Sequence, residues 1–164
     1  AATFQDDATF ARMRVAGPNP LMFRRIKTLD DRFPVSNSHY QRVMGAADSL
    51  AAAGAEGRLY LADYAATEGI ELGKYPNAQK FCASPLALFA VPAGKGANRS
   101  LKAVAIQCGQ KPGPANPIFG PGDGFAWQMA KTIATIAPRV FTFIFIRFWF
   151  FGWFFCFLFF SNFL

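Results

Sequence analysis

Side chains able to act as nucleophile, base or metal ligand are few in this sequence and widely spaced. His39 is the only histidine, and the cysteines are Cys82, Cys108 and Cys156. A thiol activated by imidazole needs both groups within hydrogen-bond reach, and no spacing pairs His39 with a cysteine. Three dispersed cysteines without a Cys-x-x-Cys do not form a disulfide framework, so reduced, partly buried thiols are expected. Glu68 and Glu71 lie near Asp63, but their surroundings fit a solvated loop better than a catalytic carboxylate pair. Gly94-Lys95-Gly96 lacks the Gly-x4-Gly-Lys-Ser/Thr spacing of a phosphate-binding loop. Asn98-Arg99-Ser100 satisfies the glycosylation triplet, a pattern that arises readily by chance. No catalytic, cofactor-binding or metal-ligating residue emerges from spacing alone.

The formal charge of +7 raises the question of a nucleic-acid partner. The basic residues are scattered, with Arg24, Arg25 and Lys27 the only tight group, and no zinc-finger spacing or ribonucleoprotein motif accompanies them. No nucleic acid is expected as a partner. AATFQDDATF carries no basic flank followed by an apolar run, so no secretory signal is expected there.

The elements that would position any chemistry are short. Asp6, Asp7 and Thr9 precede Phe10, Ala11, Met13 and Val15, which predicts a helix with an acidic first turn, ended by Gly17-Pro18-Asn19-Pro20. LMFRRIKTL follows as an extended connection. Ser36 and Asn37 cap a brief helix through Met44, and Asp48 caps a second over ADSLAAAGAEG. RLYLADY, Arg58 to Tyr64, alternates and predicts a strand. Pro85 to Val91 and Leu101 to Cys108 are apolar runs about PAGKGANRS, which predicts an antiparallel hairpin. Gln110 to Gly124 is rich in Pro and Gly and is expected as loop. Phe125 to Ala137 places Trp127, Ala130, Ile133, Ala134 and Ala137 on one helical face, with Asp123 as cap. The fold class is α+β, with an apolar area that looks thin for the length.

In that order, FARMRVAGPNP, GRLYLADY, PLALFAVPAG, LKAVAIQCGQ and FAWQMAKTIATIA together resemble the lipoxygenase family, in its bacterial and plant-type members. The resemblance covers nearly everything up to Ala137. It implies a fragment of a mostly α-helical catalytic domain that holds one non-haem iron and dioxygenates polyunsaturated fatty acids to hydroperoxides. Imidazoles and a carboxylate that leave open positions suit such an ion. The family pattern Trp-x-x-Ala-Lys is matched by Trp127, Ala130 and Lys131, and the first ligand histidines are expected on the next helix. There the sequence departs: Arg139, Arg147 and Phe-rich residues stand in that stretch. No family ligand carries over to any position, so the chain is expected to stop before the iron site and to be inactive alone.

Two regions are therefore expected: 1–137, a partial lipoxygenase catalytic domain, and 138–164, a Phe-rich hydrophobic tail. Twelve of the chain's 20 Phe fall between Phe141 and Phe163. Val140 to Leu164 exceeds the roughly 20 residues that cross a bilayer, so membrane association through 140–164, in a tail-anchored protein keeping a non-catalytic scaffold, is the alternative function. Alternation of Phe141, Phe143 and Phe145 suggests an edge strand, but does not persist. The abrupt change in composition also fits nucleotide sequence read in an arbitrary frame.

Overall fold

The computed structural model of the chain describes residues 5–16, 22–70, 74, 76–78, 81–94 and 99–137. Five strands form one antiparallel sheet in sequence order: β1 (Phe23–Ile26), β2 (Leu59–Asp63), β3 (Leu86–Ala90), β4 (Lys102–Gln107) and β5 (Ile118–Phe119). The helices are α1 (Asp7–Val15), α2 (Asn37–Met44), α3 (Leu50–Ala55) and α4, residues 125–137. The α+β class holds, with the expected hairpin at the centre of a larger sheet. LMFRRIKTL supplies β1 at one edge, and Ile118 and Phe119 supply β5 at the other.

β3 is buried along its whole length, because both faces of the sheet are covered. Ala87 and Phe89 point to one side, with Phe10 and Ala11 of α1 and Trp127, Ala130, Ala134 and Ala137 of α4. Leu86, Leu88 and Ala90 point to the other, with Tyr40 of α2, Ala53 of α3, Phe33 and Val35. A strand buried on both faces reads as a continuous apolar run rather than an alternating one.

β3 and β4 pair as Leu86 with Gln107, Ala87 with Ile106, Leu88 with Ala105, Phe89 with Ala103 and Ala90 with Lys102. The register shifts between Leu88 and Phe89, leaving Val104 as the extra residue. Such a bulge breaks the two-residue alternation, so Val104 and Ala105 both pack on the α2–α3 side while Ala103 and Ile106 pack on the other. Of the hairpin loop, Ala93, Gly94, Arg99 and Ser100 are exposed and Pro92 is half-buried.

Two expected caps are corrected. α3 is capped by Ser49, whose hydroxyl accepts from the Ala52 N–H at 3.1 Å. Asp48 is occupied elsewhere, by Arg58 and Tyr40. Asp123 does not cap α4 with its side chain. Its carboxylate accepts from the Gly120 N–H at 2.7 Å and closes the preceding turn, while its backbone carbonyl takes the Ala126 N–H. Ser36 caps α2 as expected. The expected turn at Gly17 to Pro20, Glu71, Lys95, Gly96, Asn98, Cys156 and the whole segment 138–164 lie outside the described residues.

Candidate functional site

Among the described residues, the groups that could do chemistry are not brought together. His39 sits on α2, half-buried, and serves as the third residue of a capping box. Its Nδ1 accepts from the Ser36 N–H at 3.2 Å and lies 2.6 Å from the Ser36 hydroxyl. Glutamate or glutamine usually fills this position, so the imidazole is doing a cap's work. Cys82 lies in a shallow apolar groove with Phe81, Ala83, Ile133, Ile136 and Ala137, and Cys108 packs beside the α1–α4 core. Burial pushes both thiols above their ordinary pKa, which disfavours the thiolate needed for nucleophilic work.

Carboxylates that reach the interior are each matched to a cation. Arg58, whose side chain is 4% exposed, binds both oxygens of Asp48 at 2.8 Å. It also donates to Glu56 at 2.6 Å, the Tyr40 hydroxyl at 3.1 Å and the Val91 carbonyl at 3.0 Å. Hydrogen bonds from Arg58 pull the Asp48 carboxyl down to about 2, and burial pushes the Tyr40 phenol up to about 12. This network ties α2 and the start of α3 to β2 and the end of β3. Asp63, at the far end of β2, faces Arg32 at 3.2 Å and Arg24 at 3.7 Å and accepts from Gln110 at 3.3 Å. It does not pair with the exposed Glu68. In the basic group Arg24, Arg25 and Lys27, Arg24 is turned to Asp63 and Arg25 lies over the Tyr60 ring.

The third cluster joins the two ends of the described chain. Trp127 and Lys131 are one helical turn apart on α4, hence on one flank, and both reach Asp7 of α1. The indole N–H donates to its carboxylate at 2.9 Å, and the buried Lys131 ammonium binds the same oxygen and the Gln5 carbonyl. Arg14 of α1 reciprocates, donating to the Ala134 carbonyl at 2.7 Å while its guanidinium lies 5.1 Å from the Phe10 ring centroid. Ala130, between Trp127 and Lys131, is buried against the sheet. The Trp-x-x-Ala-Lys spacing is therefore a docking device for α4. Its partner on α1 is not deducible from the motif itself, although an i, i+4 Trp–Lys pair on a helix marks the flank that must find one.

On the opposite side, Leu29, Phe33, Val35, Leu50 and Leu59 line an open groove of about 860 Å³, with Lys27, Asp30 and Asp31 at its rim. It offers apolar surface, and Asp30 is already held by Arg32 at 2.7 Å.

These elements, in this order, also occur in known proteins. A linoleate 9/13-lipoxygenase of Pseudomonas aeruginosa is 42% identical over 85% of this chain and 21% of its own length. A polyunsaturated fatty acid lipoxygenase of Rattus norvegicus is 37% identical over 80% of this chain. The chain belongs to the lipoxygenase family. No protein-family model matches it. The solved structure of a calcium-dependent 11R-lipoxygenase superimposes with a TM-score of 0.74 and 31% identity, over 82% of this chain and 20% of that one. The chain thus spans about a fifth of the length of these lipoxygenases.

The described residues do not fit the iron that lipoxygenase membership implies. Among them no three of His, Cys, Asp or Glu converge. The His39 Nδ1 is engaged by Ser36, and Asp7, Asp48 and Asp63 each face a cation. Among the described residues no helix is long and apolar enough to cross a membrane.

Proposed function

We propose that residues 1–137 are the sheet-bearing part of a fatty-acid dioxygenase of the iron-dependent lipoxygenase type, inert as an oxygenase in the chain that carries them. Residues 138–164 form a Phe-rich segment foreign to that scaffold. The observation that carries the proposal is the α1–α4 seam. Residues of the family's Trp-x-x-Ala-Lys pattern are engaged in docking one helix to another, in a chain whose other residues include a single histidine, itself used as a helix cap. An ion that cycles between two oxidation states with open positions needs several converging imidazoles and a carboxylate. One histidine with waters lacks both the geometry and the supporting hydrogen bonds. Polyunsaturated fatty acid is the substrate class of the whole enzyme, supported by the linoleate and polyunsaturated-fatty-acid names of the relatives.

The test is metal analysis of the purified chain together with oxygen uptake on linoleate and arachidonate. The expected result is no stoichiometric iron and no uptake. About one tightly held iron per chain, with hydroperoxide formed under turnover, overturns the proposal. The membrane-associated alternative rests wholly on 140–164, and a carbonate-resistant membrane pellet is the result that would favour it.

A further inference from the structure

α2 is held at its start by an acceptor that a proton would remove. In a capping box the third helical residue accepts the N–H of the cap residue, ordinarily through a glutamate or glutamine oxygen. Here the acceptor is the Nδ1 of His39, which takes the Ser36 N–H at 3.2 Å. A ring nitrogen accepts only while it carries no proton, so this bond requires a neutral imidazole with its hydrogen on Nε2. The ring is half-buried and within reach of water. Histidine is the side chain that ordinarily changes charge between roughly pH 5 and 8. The turn secured by this bond is also tied to its neighbours. Asn37 Oδ1 accepts from the Leu50 N–H at 2.8 Å, stitching the start of α2 to the start of α3. Pro34, Val35, Asn37 and Leu50 all line the open groove of about 860 Å³.

We propose that His39 is a pH-sensitive latch on α2: the neutral ring caps the first turn, and a proton on Nδ1 releases that turn and loosens the part of the groove it lines. Protonation acts in two ways. It sets N–H against N–H at Ser36, so the backbone donor loses its acceptor, while the ring can still donate to the Ser36 hydroxyl 2.6 Å away. It also places a cation in the first turn, where the helix dipole favours an anion. The other charged residue of α2 is Arg42, a further cation one turn on, which faces Asp123 at 3.6 Å. α3 carries no titratable side chain, and β4, on which α2 packs, carries only Lys102. In the loop before α2, Asp30 is bound to Arg32 and Asp31 is exposed, while Asp48 and Glu56 at the ends of α3 are bound to Arg58. No ion pair among the described residues includes His39, so none of these carboxylates offsets the added charge.

Amide hydrogen exchange of the full chain at about pH 7.5 and about pH 5.5, corrected for the intrinsic rate at each, tests this. Protection of the α2 amides from Tyr40 to Met44 should fall about tenfold at the lower pH, the scale of a lost cap together with an opposed dipole. Protection of β3 should not change. His39→Gln keeps an acceptor in the same position of the capping box but does not titrate, so its α2 protection should be equal at the two pH values. If α2 protection in the parent does not fall relative to that of β3, the proposal is overturned. An equal fall in His39→Gln overturns it too, because the titrating group is then elsewhere.

Discussion

Replacing Asp48 with Asn tests whether the Arg58 network carries the weight its geometry implies. The substitution keeps the shape but removes the charge opposite a guanidinium that is 4% exposed, with Asp48 itself 13% exposed. Breaking one side of a buried ion pair costs roughly 3–5 kcal/mol. Glu56, Tyr40 and the Val91 carbonyl still hold Arg58, which places the cost at the lower end. Linkage gives a second measure. The Asp48 carboxyl falls from 3.8 to about 2 on folding, and at about 1.4 kcal/mol per unit this is worth roughly 2 kcal/mol. Because the folded value is depressed, the contribution is complete above pH 4 and is lost as pH falls through 2. Urea unfolding followed by far-UV circular dichroism should show a loss of about 2–3 kcal/mol at pH 7 for Asp48→Asn. With a slope of about 2 kcal/mol/M, the midpoint moves by over 1 M. The variant should also lose less stability than the parent between pH 4 and pH 2. A loss under about 0.5 kcal/mol at pH 7, or an acid limb parallel to the parent's, refutes the reasoning.

The α1–α4 seam should respond asymmetrically. Asp7→Ala leaves the buried Lys131 ammonium without a counter-charge, held only by the Gln5 carbonyl, and should cost about 3 kcal/mol, whereas Lys131→Met leaves only a half-exposed carboxylate and should cost about 1 kcal/mol; equal losses in urea midpoints would remove charge pairing as the cause. Gly54→Ala should destabilise by several kcal/mol, since its Cβ would fall 2.0 Å from the Lys27 carbonyl oxygen. Helix propensity alone gives the opposite sign, about 1 kcal/mol of stabilisation, so the direction of the melting shift decides. Phe125→Ser should leave the melting temperature within a degree or two of the parent's, because the ring is 80% exposed; a large drop would mean the ring is packed.

The central strands were legible because burial on both faces writes itself as uninterrupted apolar runs, LALFA and KAVAIQ. The edge strands were not. β1 is FRRI, with Arg24 and Arg25 exposed at its middle, and polar residues suit an edge that must not recruit further strands. β5 has two residues set between prolines and glycines, too short for any periodicity to register. Ser49 rather than Asp48 caps α3 because a residue 10 positions downstream, Arg58, captures the carboxylate, a contact no local rule contains. Phe125, Met129 and Ile136 of α4, all exposed, were hidden behind the stronger Trp127–Ala137 face, although the same periodicity holds both. At the site level, His39 was visible as the only imidazole, but its employment as a cap requires knowing where α2 begins.

The sheet runs β1 to β5 in chain order, so each strand meets its neighbour across a modest intervening loop. The contacts of α1 are of another kind. Asp7 meets Trp127 and Lys131 across 120 and 124 residues. Closing a loop of that length rather than one of about 20 residues adds on the order of 1.6 kcal/mol of chain entropy. The five strands can therefore assemble progressively as the polypeptide lengthens, with Phe10 of α1 able to meet Phe89, whereas the Asp7 contacts of α1 must wait until α4 exists. That seam is the contact of α1 with the highest loop-closure cost. A ribosome-bound chain ending between Phe119 and Trp127 would hold all five strands with Phe10 and Phe89 lacking the indole and the alanine row that shield them.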